Sequence, residues 1–251
     1  MYQESLLAEV DIIVPVYNPG DYLYSTIRSI VDQTFKNWRV LLIDDGSSFE
    51  YKNKIQEITS IDSRITLVTL SENVGGGGAR NVGLKHVSAN YLAFCDSDDR
   101  WPKDKLEKQL KLMGRCSNIN MTHCNMLRLE GKQVTKIEVP DVIDIDEFLS
   151  NTQIFCSSVL LRTSIIKDAS FGQMRARHPF KFWCSILSSG EVSHNANDTY
   201  FEYLVRSDSV SANKLAMLYY TVLAYFLYSP SIRKAAVGIF FRAGRFILRI
   251  K

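Results

Sequence analysis

Asp96, Asp98 and Asp99 place three carboxylates within four positions, directly after the apolar run Tyr91-Leu92-Ala93-Phe94-Cys95 and before Arg100-Trp101-Pro102. Like charges this close hinder one another's ionisation, and a divalent cation bridging them to a phosphate is the usual relief. An apolar run that stops on acids reads as a buried strand delivering its carboxylates to the lip of a sheet. Asp-x-Asp alone is also a common acidic turn. It gains meaning from a second acidic strand end upstream, where Trp38 to Ile43 runs into Asp44-Asp45-Gly46-Ser47.

The elements that must position these acids follow from the apolar periodicity. Residues 10–16, VDIIVPV, form a β-branched run closed by the turn-former Asn18-Pro19-Gly20. Leu23, Ile27, Ile30 and Val31 recur at helical spacing, which predicts a helix up to Thr34. After the Trp38–Ile43 strand come a polar helix around 50–60 and a short strand, Ile65 to Leu70. Asn73 to Asn81 contains four consecutive glycines and reads as a flexible loop opening a helix to about Val87. Tyr91 to Cys95 is the strand that carries the acidic cluster. Pro102 then sits near the first turn of a helix with Leu106, Leu110 and Met113 on one face.

Strands alternate with helices over the first 115 residues, and each strand is nearly all apolar. That pattern predicts an α/β fold with a mostly parallel central sheet covered by helices on both faces. Ligands of such open sheets bind outside the carboxyl ends of the strands. Tyr17, Asp44-Asp45 and Asp96/Asp98 fall at such ends and should line one crevice. The second half is less regular. Met121–Leu129 reads as a strand entering the turn Glu130-Gly131-Lys132, and Asp144–Ser150 as a short helix. Phe155–Arg162 and Tyr200–Val205 read as strands, with a helix at Phe180–Leu187.

At 251 residues, 46% hydrophobic and 23% charged, the chain suits one α/β domain with a small appendage. We divide it into residues 1–214, with halves over 1–115 and 116–214, and a helical extension over 215–251. A net charge of +3 is too slight to suggest a nucleic-acid partner. Five cysteines without C-x-x-C spacing argue against a disulfide framework or a zinc site and for a reducing compartment. The N-terminal MYQESLLAEV lacks the basic-then-apolar pattern of a signal peptide, and Leu215 to Tyr228 is short for a bilayer span. A cytoplasmic protein is expected. From Ser231 to Lys251, Lys234, Arg242, Arg245 and Arg249 form one helical stripe, with Phe and Ile covering much of the rest and no acid. That composition suits a helix lying peripherally on an anionic inner membrane face, or a terminal helix packed on the domain. Nothing in the sequence indicates an oligomeric state.

The segments VDIIVPVYN, QTFKNW, LIDDGSS, ENVGGGGARNVG and FCDSDDRWP, in this order and spacing, resemble glycosyltransferase family 2. The resemblance spans residues 10 to about 113. It continues more loosely through Ser157-Ser158-Val159, Phe182-Trp183 and Ser209 to Lys214, like enzymes that build bacterial surface polysaccharides such as O-antigen or capsule. It implies the Rossmann-like GT-A fold and an inverting transfer from a UDP-sugar to a lipid-linked oligosaccharide, with Mn2+ or Mg2+. On that resemblance Tyr17 stacks on uracil and Asp45 accepts from its N3–H. Pro15, Asn18, Gly75 and Arg80 belong to the nucleotide site, Asp96 holds the ribose, and Asp98 holds the metal.

Inverting transfer also needs a base to take the acceptor hydroxyl's proton. The family supplies an aspartate just before an aromatic helix containing a tryptophan. Aligned on Phe182-Trp183, the position expected to hold it is Pro179, in the stretch Arg175-Ala176-Arg177-His178-Pro179. His178 is one replacement, since imidazole titrates near neutrality. Glu191 or Asp168 approaching from elsewhere is another, as is a shifted alignment. The remaining reading is a homologue that binds a sugar nucleotide but transfers slowly or not at all. A nucleotidyltransferase would carry a Gly-rich loop with Arg and Lys after its first strand, where this chain has Pro15-Val16-Tyr17-Asn18-Pro19.

Overall fold

The computed structural model describes residues 8–150, 154–206 and 214–231. Strands β1 (Val10–Val16), β2 (Trp38–Asp44), β3 (Ile65–Thr69) and β4 (Tyr91–Phe94) lie parallel in the spatial order β3-β2-β1-β4. Helices α1 (Tyr22–Val31), α2 (Phe49–Thr59) and α3 (Gly75–Lys85) connect them, and α4 (Lys105–Arg115) follows β4. The two-residue period of a strand sorts β1 between two cores. Ile13 packs with Leu41, Ile43, Phe94 and Ala79 of α3, whereas Ile12 and Val14 pack with Leu23, Ile27, Ile55 and Leu106 of α1, α2 and α4. At the edge where these strands begin, buried Asp11 accepts both guanidinium arms of Arg39 (2.9 Å each) and the backbone N–H groups of Ser88 and Ala89.

The second half extends the sheet with mixed pairing. β5 (Met121–Glu130) carries the hairpin strand β6 (Gln133–Ile137), and β7 (Val142–Ile143) leads to α5 (Ile145–Ser150). β8 (Leu160–Arg162) inserts antiparallel between β4 and β5 and joins the two halves. α6 (Pro179–Ser188) follows, and β9 (Ser193–Leu204) runs parallel to β5 with a register shift between His123 and Asn125. α7 (Lys214–Tyr228) packs on α6, where Ala224 and Tyr225 are buried and the Tyr225 hydroxyl donates to Leu149 O (2.6 Å). This is the helix-flanked α/β sheet expected from the sequence.

Three local expectations are corrected. The glycine run is not a loop: Gly75 to Gly78 form the first turn of α3. Glycine's poor helix propensity is outweighed by close packing. A Cβ on Gly77 would run into the Gly172 carbonyl oxygen and come within 2.9 Å of His178 Cβ. Within Phe155–Arg162 only Leu160–Arg162 is strand, because Cys156–Ser158 turn as a 3-10 helix. The last strand starts at Ser193, not Tyr200; its first half, SHNANDT, is too polar to read as a strand without its partner β5.

Gly77→Ala should therefore destabilise the protein by about 1–3 kcal/mol, the usual cost of overpacking. Gly114→Ala, in α4 with nothing within 4 Å of the added methyl, should be neutral or stabilise by up to about 1 kcal/mol. Urea denaturation of both variants checks this, and a wild-type midpoint for Gly77→Ala would refute the close-packing explanation.

Candidate active site

Each predicted residue sits at the carboxyl end of a strand or the start of a helix. β1 runs directly into Tyr17, which is 52% exposed. Asn18 adopts φ +44°, a conformation asparagine tolerates better than most residues. Its N–H donates to Ser47 Oγ and its Oδ1 accepts from Ser48 N–H, both at 2.9 Å, fixing the β1 end to the β2 end. Asn18 does not itself line the cleft; it clamps the two loops that do. Asp44 accepts the Ser47 N–H (2.9 Å) and shapes the turn, in which Gly46 takes φ +71° with the Glu72 backbone against it. Asp45 is buried and accepts the Val74 N–H at 2.7 Å, just before α3. Burial raises its pKa, opposed by the backbone N–H groups of Val74 and Gly75.

Arg80 stands one turn into α3 and is 4% exposed. Its guanidinium forms an ion pair with Asp96 at the end of β4, donates to Gly76 O (2.8 Å), and lies 2.8 Å from His178 Nε2. Burial works against the charge of Arg80, but Asp96 overcomes it and the pKa is raised. A guanidinium can only donate, so His178 Nε2 accepts and its proton resides on Nδ1. Burial, then the charge of Arg80, pushes the His178 pKa down to about 3.

The acidic cluster is organised by Ser157, in the 3-10 turn after α5. Its Oγ accepts the Asp96 N–H (2.9 Å) and donates to Asp99 Oδ2 (2.5 Å), while its carbonyl accepts from Trp101 Nε1 (2.9 Å). Asp99 is thereby drawn beneath the surface, 2% exposed, and burial with the charges of Asp96 and Asp98 raises its pKa well above the carboxylate range. Asp98 points the other way and pairs with Arg206 (3.2 Å), just past β9. Its pKa is also raised, by burial first and then by Asp96. Arg80 Nε, Asp99 Oδ1 and His178 Nδ1 are buried with no hydrogen-bond partner among the described residues.

A cleft of about 580 Å³ opens over these groups. Pro15, Tyr17, Asp45, Gly75, Arg80, Asp96, Asp98 and His178 all line it, so eight of the nine residues singled out in the sequence converge there. Glu191 and Asp168 do not, which corrects the idea that either approaches as a base. Glu191 accepts from Asn120 Nδ2 (3.0 Å) just ahead of β5 and β9, at the opposite edge of the sheet. Pro179 opens α6 at a first-turn position, as its residue type predicts. Ser157, Arg206 and the cleft arginines Arg175 and Arg177 carry no sign of a role in the sequence alone. Ser157 stood in a motif; the others become visible only when β9, α6 and α7 fold over the cleft.

The carboxylates Asp96 and Asp98 offer hard oxygen donors of the kind Mg2+ and Mn2+ prefer. Burial first and then the charge of Asp96 raise the Asp98 pKa, and a cation held by the two carboxylates would favour their ionised forms, so the residues fit such an ion. Among the described residues no group of three His, Cys, Asp or Glu side chains forms a closed metal cage. Such ions need none where phosphates and water complete the shell.

The glycosyl transferase family 2 model matches residues 11–143, just over half of the chain. This chain belongs to glycosyltransferase family 2. Among its relatives, the Bacillus subtilis (strain 168) glycosyltransferase TuaG, named for teichuronic acid biosynthesis, is 35% identical over 207 residues, covering 82% of each protein. The Escherichia coli enzyme WfgD, a UDP-Glc:alpha-D-GlcNAc-diphosphoundecaprenol beta-1,3-glucosyltransferase, is 33% identical over 228 residues, or 89% of this chain and 88% of WfgD. The structure of S. aureus TarS 1-349 in complex with UDP-GlcNAc superposes with a TM-score of 0.73 at 18% identity, over 97% of this chain and 76% of that one. That similarity establishes the GT-A glycosyltransferase fold. The transferase is thus a relative of enzymes of bacterial surface polysaccharide synthesis.

Two buried imidazoles make stability pH-dependent. His178 titrates at about 3 and His123 at about 4, against about 6.5 in an unfolded chain. As pH falls below about 6.5 the unfolded state binds protons that the folded state refuses, so stability is full above that pH and declines toward 3–4. His178→Gln should remove one of these contributions. The loss of unfolding free energy between pH 7 and pH 5 should shrink by roughly 1–2 kcal/mol in urea titrations. An unchanged difference would mean that His178 is not held neutral.

Proposed function

We propose that this transferase moves a sugar from a UDP-sugar to a lipid-diphosphate-linked acceptor, with inversion at the anomeric carbon. The supporting observation is the convergence of Tyr17, Asp45, the Arg80–Asp96 pair and Asp98 at the ends of three adjacent parallel strands. Tyr17 offers a half-exposed aromatic face for a planar base. Asp45 is fixed by Val74 and Gly75 and would accept from the uracil ring. Gly75 and Gly76 bring the N-terminus of α3, the positive end of the helix dipole, to the place where a diphosphate would sit. Asp98, with Asp96 beside it, would hold Mg2+ or Mn2+. Bound there, the ion supplies positive charge against the leaving diphosphate. WfgD and TarS, by their names, use or bind UDP-sugars, and WfgD forms a β-linkage.

His178 is better suited to positioning Arg80 than to taking a proton. Its accepting nitrogen is occupied by a guanidinium, and burial, with that charge added, holds its pKa at about 3. Among the described residues no carboxylate beyond Asp45, Asp96 and Asp98 lines the cleft. That observation favours a second reading, a sugar-nucleotide-binding homologue with slow or no transfer. Incubation with UDP-sugars, Mg2+ or Mn2+ and a lipid-diphosphate GlcNAc acceptor decides between them. Turnover that falls at least about a hundredfold in Asp98→Asn supports the transferase; UDP binding without transfer on any acceptor supports the second reading. With turnover in hand, His178→Gln keeps an acceptor for Arg80 and should retain kcat within about threefold. A fall of about a hundredfold or more in His178→Gln would make His178 the base.

We also propose peripheral association with the inner face of the cytoplasmic membrane. No helix among the described residues is long and apolar enough to cross a membrane. α7 buries Ala224 and Tyr225 but exposes Leu215, Tyr219, Val222 and Phe226, a stripe at helical spacing. The amphipathic stretch expected over 231–251 falls, beyond Ser231, outside the described residues; its sequence adds Arg233, Lys234, Arg242, Arg245, Arg249 and Lys251 and no acid. Leu215→Ser/Phe226→Ser should reduce co-sedimentation with phosphatidylglycerol vesicles at least about fivefold while leaving the thermal midpoint unchanged. Equal pelleting of both proteins would count against α7 as the contact.

A further inference from the structure

Behind the acidic cluster lies a lysine that the transfer proposed above does not use. Lys105, the first residue of α4, is fully buried, and among the described residues no carboxylate pairs with it. Burial lowers its pKa to about 8, which leaves the ammonium group charged at neutral pH. The thiols of Cys95, just past β4, and Cys124, in β5, act on it, but burial raises both thiol pKa values and keeps them neutral. Holding such a cation out of water costs several kcal/mol. An apolar side chain of the same length would avoid that cost, so the charge itself needs an explanation.

Two contacts of the ammonium group lead to the same turn. Nζ donates to Gln109 Oε1 (2.8 Å), four residues along α4, and lies 4.1 Å from the centre of the Trp101 ring. Gln109, also fully buried, donates through Nε2 to Ser158 O (2.9 Å), and Trp101 Nε1 donates to Ser157 O (2.9 Å). An ammonium group can only donate, so it holds the carboxamide oxygen of Gln109 toward itself and the NH2 group toward the turn. Without it the carboxamide would be free to reverse and set its oxygen against the Ser158 carbonyl. The cation also favours the face of the indole, which keeps Nε1–H in the ring plane aimed at Ser157 O. Two consecutive carbonyls of the 3-10 turn are thus held by side chains that share one cation. From that turn Ser157 Oγ reaches the Asp96 N–H (2.9 Å) and Asp99 Oδ2 (2.5 Å), the two ends of the acidic segment.

We infer that Lys105 and Gln109 are positioning residues for the donor site: through Trp101 and the Ser157 and Ser158 carbonyls they fix the segment Asp96–Asp99 that faces the metal-bound diphosphate. This rests on the UDP and metal binding proposed above. Neither side chain lines the cleft. Lys105→Met removes the charge and keeps the length, and the exchange of a buried cation for an apolar chain should leave the urea midpoint at or above wild type. Calorimetric titration with UDP and Mn2+ should nevertheless give a Kd raised about tenfold or more. In 1H–15N spectra of the ligand-free variant, the Trp101 indole N–H and the Asp96 amide should shift, while the Val74 amide on Asp45 stays in place. Gln109→Glu leaves Lys105 an acceptor and takes away the donor to Ser158 O. It should give the same pattern, and it judges the inference alone if Lys105→Met does not fold. A Kd within twofold of wild type in a folded variant, or an Asp96 amide that does not move, would overturn the assignment. If the wild-type protein binds no UDP in the presence of Mn2+, the donor reading fails. The spectra then decide separately: a displaced Asp96 amide supports the positioning role and an unmoved one refutes it.

Discussion

A buried arginine facing a crowd of aspartates is the constraint on which the rest of this structure depends. Removing a guanidinium from water costs several kcal/mol unless a carboxylate and further acceptors meet it. Arg80 meets Asp96, Gly76 O and His178 Nε2, which ties α3, the end of β4 and the start of α6 to one side chain. The aspartates depend on it equally. Without a nearby cation the three carboxylates at 96, 98 and 99 would repel, and the protein divides that problem three ways. Asp96 is paired with Arg80, Asp98 turns toward Arg206, and Asp99 is withdrawn into a buried hydrogen bond from Ser157 with its proton affinity raised.

The packing around Arg80 follows from bringing α3 this close. Gly77 leaves room for the Gly172 carbonyl and for His178, so the loop carrying Arg175 and Arg177 rests directly on the helix that carries Arg80. Asn18 performs the corresponding task on the other side, joining the ends of β1 and β2 through Ser47 and Ser48. The cleft floor is therefore held by short-range polar bonds between strand ends, while the aromatic cluster of Phe94, Phe171, Phe182 and Trp183 fills the space beneath it.

The first half of the chain was legible because β1, β2 and β4 are buried on both faces and its helices on one. Continuous β-branched runs and a 3.6-residue period are local signals, and the acids terminating β2 and β4 mark the edge where ligands gather. The glycine run was misread because its composition reports intrinsic flexibility, whereas its conformation is decided by a carbonyl 95 residues later in sequence, at Gly172. β9 was cut short for a similar reason. Its polar first half, including Asn195 bonded to Asn125, is a strand only because β5 lies beside it. Ser157, Arg206 and the cleft arginines share this property: their significance is a matter of neighbours, and no spacing rule supplies the neighbours.

His178 illustrates the limit most directly. Its type and its place before Pro179 suggested a base, since a free imidazole titrates where catalysis needs it. The fold instead places it against a guanidinium, in a setting where burial and charge act in the same direction and hold it neutral down to about pH 3. A guanidinium in contact with an imidazole disfavours the imidazolium, so the contact that helps to satisfy Arg80 also weakens His178 as a base. Holding a buried guanidinium and removing a proton are thus opposed requirements at this position. The arrangement around Arg80 satisfies the first, and in the transfer proposed above the base would be a group that does not touch Arg80.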